Sequence, residues 1–242
     1  MNQHFSAIIV AAGSSRRLGF DKLIVPLNGR PALAHSIAAF ASSAADEIII
    51  VTLSERIAEF TALCADAGFS GVKIVPTRGP ERRDSVAAGI AATNPTTEWI
   101  AVHDGARPLI SNHDIAGCLK LAIQTGAAAC AAPVADTLVR ATADQHADAP
   151  VDRTGLWAMQ TPQIFKATLL RAAYDALGAA SADAAWATDE VSVVRKFGAP
   201  VAIYPTHDWN FKITLPQDIR LADHVLAIRR HGASELPDHP AA

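Results

Sequence analysis

The sequence predicts an α/β protein, a three-layer α/β/α sandwich around a mostly parallel sheet. Three observations carry that expectation. Short β-branched runs recur along the chain, longer alanine-rich segments of helical period separate them, and 50% of the 242 residues are hydrophobic against 19% charged. Strands buried on both faces read as continuous apolar runs because crossover helices cover both sides of a parallel sheet.

The strand candidates are Ser6–Ala11, Glu47–Leu53, Val72–Pro76, Trp99–His103, Ala127–Val134 and Val201–Pro205. Helix candidates fall at Pro31–Ala44, Glu55–Ala67, Arg83–Ala92, Asn112–Thr125, Lys166–Leu177 and Asp189–Phe197, with Pro216–Arg230 closing the domain. Pro31 and Pro216 suit the first turn of a helix, where a missing N–H breaks no bond. The stretch from Asp136 to Gln163 interrupts this rhythm. It has no room for a helix, and its two short extended pieces flank a polar Asp/Ala/His tip, so it predicts a projecting β-hairpin arm over about 136–160. An isolated hairpin is marginal in water, so the arm is expected to pack against a second copy of the chain, with a mobile surface loop as the alternative. Residues 1–230 read as a single domain and residues 231–242 as a flexible tail.

The charge balance excludes several function classes. Against 24 Asp+Glu stand 21 Lys+Arg, a formal charge of -3, so no cation excess awaits a nucleic-acid backbone. No basic residue precedes the first apolar run and Arg16-Arg17 follows it, the reverse of a signal peptide. Gly, Pro or charge interrupts every apolar stretch before the ~18 residues that a bilayer requires. Cys64, Cys118 and Cys130 are an odd number at long spacings, and read as buried thiols of a reducing compartment rather than a disulfide framework or zinc knot. A soluble, cytoplasmic protein with no nucleic-acid or membrane partner is expected.

Two segments bear chemistry. After the first strand comes Ala11-Ala12-Gly13-Ser14-Ser15-Arg16-Arg17-Leu18-Gly19-Phe20-Asp21-Lys22, a loop of small residues bearing three cations. Small residues let backbone N–H groups approach an anion, and the cations add charge, so the loop is a candidate phosphate cradle. It lacks the Walker A spacing and the Gly-x-Gly-x-x-Gly fingerprint, which also argues against a Rossmann oxidoreductase. An exposed turn with solvated arginines is the plainer reading, but the end of the first strand of an α/β sheet is where such folds bind ligands. The fourth strand ends Val102-His103-Asp104-Gly105-Ala106-Arg107-Pro108, which sets a carboxylate and a guanidinium at the same edge. Asp104 can take Mg²⁺ through one oxygen while phosphates supply others, or can simply pair with Arg107 or cap a helix approach. Neighbouring side chains on a strand face opposite ways, so His103 is given a structural role, packing or a backbone hydrogen bond.

In chain order these segments, with Arg82-x-x-Ser85-Val86, Ala132-Pro133-Val134-x-Asp136-Thr137, Val151-Asp152-Arg153-x-Gly155-Leu156-Trp157, Gln160-Thr161-Pro162-Gln163-x-Phe165, Thr188-Asp189-Glu190 and Asn210-x-Lys212-x-Thr214, resemble the sugar- and polyol-phosphate cytidylyltransferases. Those acting on 2-C-methyl-D-erythritol 4-phosphate are the most similar. The resemblance covers nearly the whole chain and implies a Rossmann-like nucleotidyltransferase fold. It also implies an enzyme that joins CTP to a polyol phosphate with Mg²⁺, releasing pyrophosphate in the non-mevalonate route to isoprenoids. It carries the catalytic cations onto Arg17, Lys22, Arg153 and Lys212, and nucleotide binding onto Ala11, Ala12, Gly13, Ser14, Ser15, Gly79, Arg82 and Ser85. Polyol binding falls on Asp104, Arg107, Thr137 and Thr188, with Asp104 also near the metal. The arm would cross to the partner of a homodimer. The sequence departs from the family pattern at Asp21 (usually proline), Arg78 (glycine), Gly105 (alanine) and Val139 (lysine). A cytidylyltransferase for ribitol 5-phosphate, a nucleotidyltransferase using another base, and a non-catalytic nucleotide-binding protein of the same fold are the competing expectations.

Overall fold

The apolar runs form the centre of a seven-stranded sheet in the computed structural model, which describes residues 4–13, 19–179, 186–207 and 209–230. Ser14, Ser15, Arg17 and the expected tail lie outside the described residues. The first part of the chain forms β1 (Phe5–Val10), β2 (Pro26–Leu27), β3 (Arg30–Pro31), α1 (Ala32–Ala41), β4 (Glu47–Thr52), α2 (Ile57–Asp66), β5 (Lys73–Pro76) and α3 (Arg82–Ala92). There follow β6 (Trp99–Asp104), α4 (Asn112–Thr125), β7 (Ala127–Pro133), β8 (Leu138–Ala141), β9 (Ala147–Val151) and β10 (Trp157–Lys166). The chain closes with α5 (Ala167–Ala179), α6 (Glu190–Lys196), β11 (Ala202–Pro205) and α7 (Pro216–Arg230).

The sheet order is β11-β7-β10-β6-β1-β4-β5. Only β10 runs against its neighbours, β6 and β7; the other pairings are parallel, with Ile8 opposite Ile49 and Val102. Alternate residues of each central strand feed two cores. Phe5, Ala7, Ile9 and Ile50 pack with Leu33, Phe40, Phe60 and Ile115 from α1, α2 and α4. Ile8, Ile49, Val51 and Val102 pack with Val86, Leu170, Tyr174 and Val193 from α3, α5 and α6 on the opposite face. This is the expected three-layer sandwich. A smaller cluster joins Ala222 and Val225 of α7 to Leu27, Leu109 and Ile213.

Helix ends follow local chemistry. Ser111 caps α4 by accepting from the Asp114 N–H, and Gly126 ends it at φ 90°, a left-handed conformation that glycine adopts without steric cost. All three cysteines are buried free thiols. No helix among the described residues is long and apolar enough to cross a membrane.

Two expectations need correction, and one hairpin is an addition to them. Pro31 is the residue before α1 rather than its first helical residue, because it pairs with Pro26 across β2–β3. That hairpin itself was not expected. It turns on Asn28 and Gly29, both at positive φ, the dipeptide that two-residue hairpin turns demand. The larger correction concerns the end of the expected arm, residues 157–160. Trp157–Lys166 is a strand inside the sheet, paired with β7 and β6, and only β8 and β9 form the separate antiparallel hairpin. The buried residues of β10 include Thr161 and Gln163, so no apolar alternation advertises the strand. Their polar groups are satisfied instead: Gln163 donates to Asp189 Oδ2 at 3.0 Å and accepts from the Val191 N–H at 3.0 Å.

Candidate active site

From β1 the chain proceeds outward through β4 to β5, then returns to place β6 on the other side of β1. The carboxyl ends of β1 and β6 therefore flank a topological switch point, where the connections diverge and leave a crevice. Backbone bonds hold the rim: the Ala11 N–H donates to Val51 O at 2.8 Å and the Gly105 N–H to Val10 O at 3.0 Å. A cavity of about 210 Å³ opens there, lined by Val10, Ala11, Ala12, Gly13, Lys22, Leu23, Pro80, Glu81, Arg82, Ser85, Asp104, Ala106 and Lys212.

Asp104, 7% exposed, is the charge centre of this wall. Its Oδ1 accepts from Arg82 Nε at 3.1 Å and its Oδ2 from Lys212 Nζ at 3.0 Å, while Arg107 Nε stands 3.5 Å from Oδ2. Burial alone would raise the Asp104 pKa, but Arg82, Lys212 and Arg107 outweigh it and hold the carboxyl well below the usual range. Arg82 also donates through Nη1 to both oxygens of Glu190, at 2.7 and 2.9 Å. Glu190 is 1% exposed and accepts from the Tyr174 hydroxyl at 3.1 Å. Burial opposes charge on Arg82, yet Glu190 and Asp104 push its pKa up, so the guanidinium stays charged.

Lys22 and Lys212 reach the cavity from loops, and each loop is fastened. Asp21 accepts from the Leu23 N–H at 2.9 Å and pairs with Arg56, whose guanidinium lies 4.3 Å from the centre of the Phe60 ring. Asp21, the departure from proline, thus anchors the residue before Lys22. On the other loop, Asn210 donates to Thr161 O at 2.8 Å and its carbonyl accepts from Arg107 Nη1 at 2.8 Å. The Ile213 N–H donates to Ala106 O at 2.9 Å, closing the loop around Lys212.

A family model described as 2-C-methyl-D-erythritol 4-phosphate cytidylyltransferase matches residues 5–228. The chain belongs to that family. A relative so named from Dehalococcoides mccartyi (strain CBDB1) is 36% identical over 228 residues, covering 93% of this chain and 97% of its own. One from Endomicrobium trichonymphae is 39% identical over 223 residues, covering 91% and 98%. Among solved structures, the 2-C-methyl-D-erythritol 4-phosphate cytidylyltransferase of Thermus thermophilus superposes with a TM-score of 0.76 at 29% identity, covering 93% of this chain and 100% of that one. The 4-diphosphocytidyl-2C-methyl-D-erythritol synthase of Anaerococcus prevotii gives 0.80 at 26%, covering 94% and 100%.

Of the positions carried over from the cytidylyltransferase pattern, the fold brings Ala11, Ala12, Gly13, Lys22, Arg82, Ser85, Asp104 and Lys212 onto one cavity. Arg107 stands behind Asp104, buried. Gly79 lies at the approach to α3, where a Cβ would collide with the Asp84 side chain that caps the helix by accepting from the Glu81 N–H at 2.9 Å. Ser85 donates to Thr77 Oγ1 at 2.9 Å. Thr137, Arg153 and Thr188 are exposed and do not line the cavity within this chain. Sequence reasoning gave no role to Glu190 or Tyr174. Glu190 stood in a noted motif, but its partner Arg82 lies 108 residues away, which only the folded topology reveals.

The donor set fits a magnesium ion, which needs hard oxygen ligands and takes one or two carboxylates with phosphates and water completing its shell. Asp104 offers an ionised carboxylate at the cavity wall.

His103 backs the site as structure. Its Nε2 meets Arg107 O at 3.2 Å, its Nδ1 meets Thr161 Oγ1 at 3.1 Å, and its ring packs edge-on to Phe40. Thr161 Oγ1 accepts from the Asp104 N–H at 3.0 Å and so donates its own hydrogen to Nδ1, which selects a neutral ring protonated at Nε2. Burial lowers the His103 pKa to about 4. The unfolded chain therefore binds a proton that the folded one refuses between pH 6.5 and 4, and stability falls as pH drops through that window. The expected loss is roughly 3 kcal/mol. Urea denaturation at a series of pH values should show that slope, and His103→Asn should flatten it; an equal slope in the variant would assign the loss to other groups.

Proposed function

We propose that this chain transfers the cytidylyl group of CTP to 2-C-methyl-D-erythritol 4-phosphate, giving the CDP-polyol and pyrophosphate, in isoprenoid synthesis. The observation that carries the reading is that Lys22 shares the switch-point cavity with Asp104 and the two cations paired to it, Arg82 and Lys212, in a chain of this family. A phosphate-monoester oxygen attacks the α-phosphorus of CTP, and the bond to the departing pyrophosphate breaks in line. The nucleophile is already an anion, so the protein needs no strong general base, and its task is positioning and charge neutralisation.

In this reading, Lys22 and Arg17 meet the charge that develops on the triphosphate. The backbone of Ala11, Ala12 and Gly13, with Ser14, Ser15, Gly79, Arg82 and Ser85, forms the nucleotide side, where close-set backbone favours a pyrimidine over a purine. Lys212 and Arg153 hold the polyol phosphate, and Asp104, Arg107, Thr137 and Thr188 its hydroxyl-bearing part. Asp104 and the phosphates would hold Mg²⁺, which supplies further neutralisation of the triphosphate when bound. The buried thiols suit a cytoplasmic setting.

The test is pyrophosphate release from each nucleoside triphosphate with methylerythritol 4-phosphate or ribitol 5-phosphate. Turnover only with CTP and methylerythritol phosphate is expected. Turnover only with ribitol phosphate would keep the chemistry and replace the acceptor, and silence with every pair would overturn the reading.

The β8–β9 hairpin, with Val139 55% exposed, is the arm of a homodimer in this reading and carries Thr137 and Arg153 into the partner's site. Lys22→Ala and Arg153→Ala chains should then complement each other. In a two-fold dimer one site of each mixed pair keeps both wild-type residues, so subunit exchange should restore activity at about a quarter of all sites. No recovery on mixing would place Arg153 in its own chain's site or outside the mechanism.

A further inference from the structure

At the other edge of the sheet, away from the cavity lining, His113 and Asp114 open α4 and His207 follows β11. Their ligand-type atoms lie within 4.8 Å of one another. We propose that these three residues bind a divalent transition-metal ion of the zinc class, with water completing its shell.

The geometry is close to what such an ion requires. Zinc ligands at about 2.0–2.1 Å in a tetrahedron stand roughly 3.4 Å apart. Asp114 Oδ1 is 3.6 Å from His207 Nδ1 and 3.9 Å from His113 Nδ1. The two imidazoles face each other edge to face at 5.3 Å, and both side chains are exposed enough, at 73% and 61%, to close on an ion by small rotations.

Charge supplies the second argument. Asp114 is fully buried, and the only basic side chains paired with it among the described residues are these two histidines. Its Oδ2 accepts from the Ser111 hydroxyl at 2.9 Å and its Oδ1 from the His207 N–H at 3.2 Å, which fixes its orientation but brings no full positive charge. A buried carboxylate lacking a permanent cation is costly, and a divalent ion removes that cost. Two imidazoles select zinc, copper or nickel over magnesium, which distinguishes this site from the phosphate-bound ion at the cavity. Tyr204 lies beside His207, ring centres 5.6 Å apart, and its hydroxyl, 3.4 Å from Nδ1, would give up that long contact when the ion binds.

The ion would join the start of α4 to the segment that leads, five residues beyond His207, to Lys212. Its role is therefore to brace the Lys212 loop rather than to take part in phosphoryl chemistry.

The experiment uses the full, tag-free chain stripped with chelator, titrated with Zn²⁺ by calorimetry and with Co²⁺ by visible absorption. One ion per chain is expected. His113→Ala and His207→Ala should each weaken binding by at least the roughly 10- to 100-fold that even an outer-shell change costs a metal site. His146→Ala, on the exposed arm, should leave binding intact. Absence of binding, equal binding in the two histidine variants and the unaltered chain, or a thiolate-to-cobalt charge-transfer band would each overturn the assignment.

Discussion

Lys22→Ala is expected to lower kcat about 10²- to 10³-fold while the KM for CTP changes little. Lys22 lines the cavity, and Asp21, which accepts from the Leu23 N–H and pairs with Arg56, fastens the backbone that carries it, so the loop is set before substrate arrives. A preset charge gains most where new charge appears, on the bridging oxygen as the pyrophosphate leaves, and less in the ground-state complex. Lys22→Arg should recover only part of the rate, because a planar fork does not replace a compact ammonium. Steady-state kinetics with both substrates varied, beside a thermal-unfolding control, decides the matter. An unchanged kcat with a raised KM would make Lys22 a ground-state ligand of CTP.

The second large effect is on stability. Glu190→Ala should cost about 3–5 kcal/mol in urea denaturation, since removing one member of a buried ion pair strands the other. The lower part of that range is expected, because Arg82 keeps 24% of its side chain exposed and Asp104 as a second partner. Activity should fall as well. Without Glu190, Arg82 depends wholly on Asp104 and competes with Lys212 for that carboxylate. Glu190→Gln preserves shape and should lose less stability than the alanine variant; equal losses would mean that charge, not packing, is what Glu190 contributes.

Most of the sandwich was legible because its signals are local. The isoleucine run of β4 and the Ser111 and Gly126 ends of α4 each carry their own instruction, and α4 spans the residues expected of it. The strand β10 was not legible, since Thr161 and Gln163 are buried through hydrogen bonds that periodicity does not register. Asn28-Gly29 is a different failure: the turn signal was present and went unread. At the site, the end of β1, Lys22, Asp104 and Lys212 could be chosen from motifs, but the commitment of Arg82 to Glu190 joins distant segments through α3 and α6. Asp21 looked like a mere departure from pattern until Arg56 stood opposite it.

The reversed direction of β10 has an architectural consequence. A parallel successor to β7 would have to cross back to the amino edge before re-entering the sheet. An antiparallel one re-enters where β7 leaves, with Trp157 opposite Pro133. The hairpin is thus an excursion between two adjacent rails, and its length is decoupled from the rest of the sheet. Residues can be added to or removed from its tip at a small loop-closure cost, only about 0.6 kcal/mol for each doubling of a flexible loop. The hairpin can therefore change in length while the sheet edge that carries the cavity stays in place.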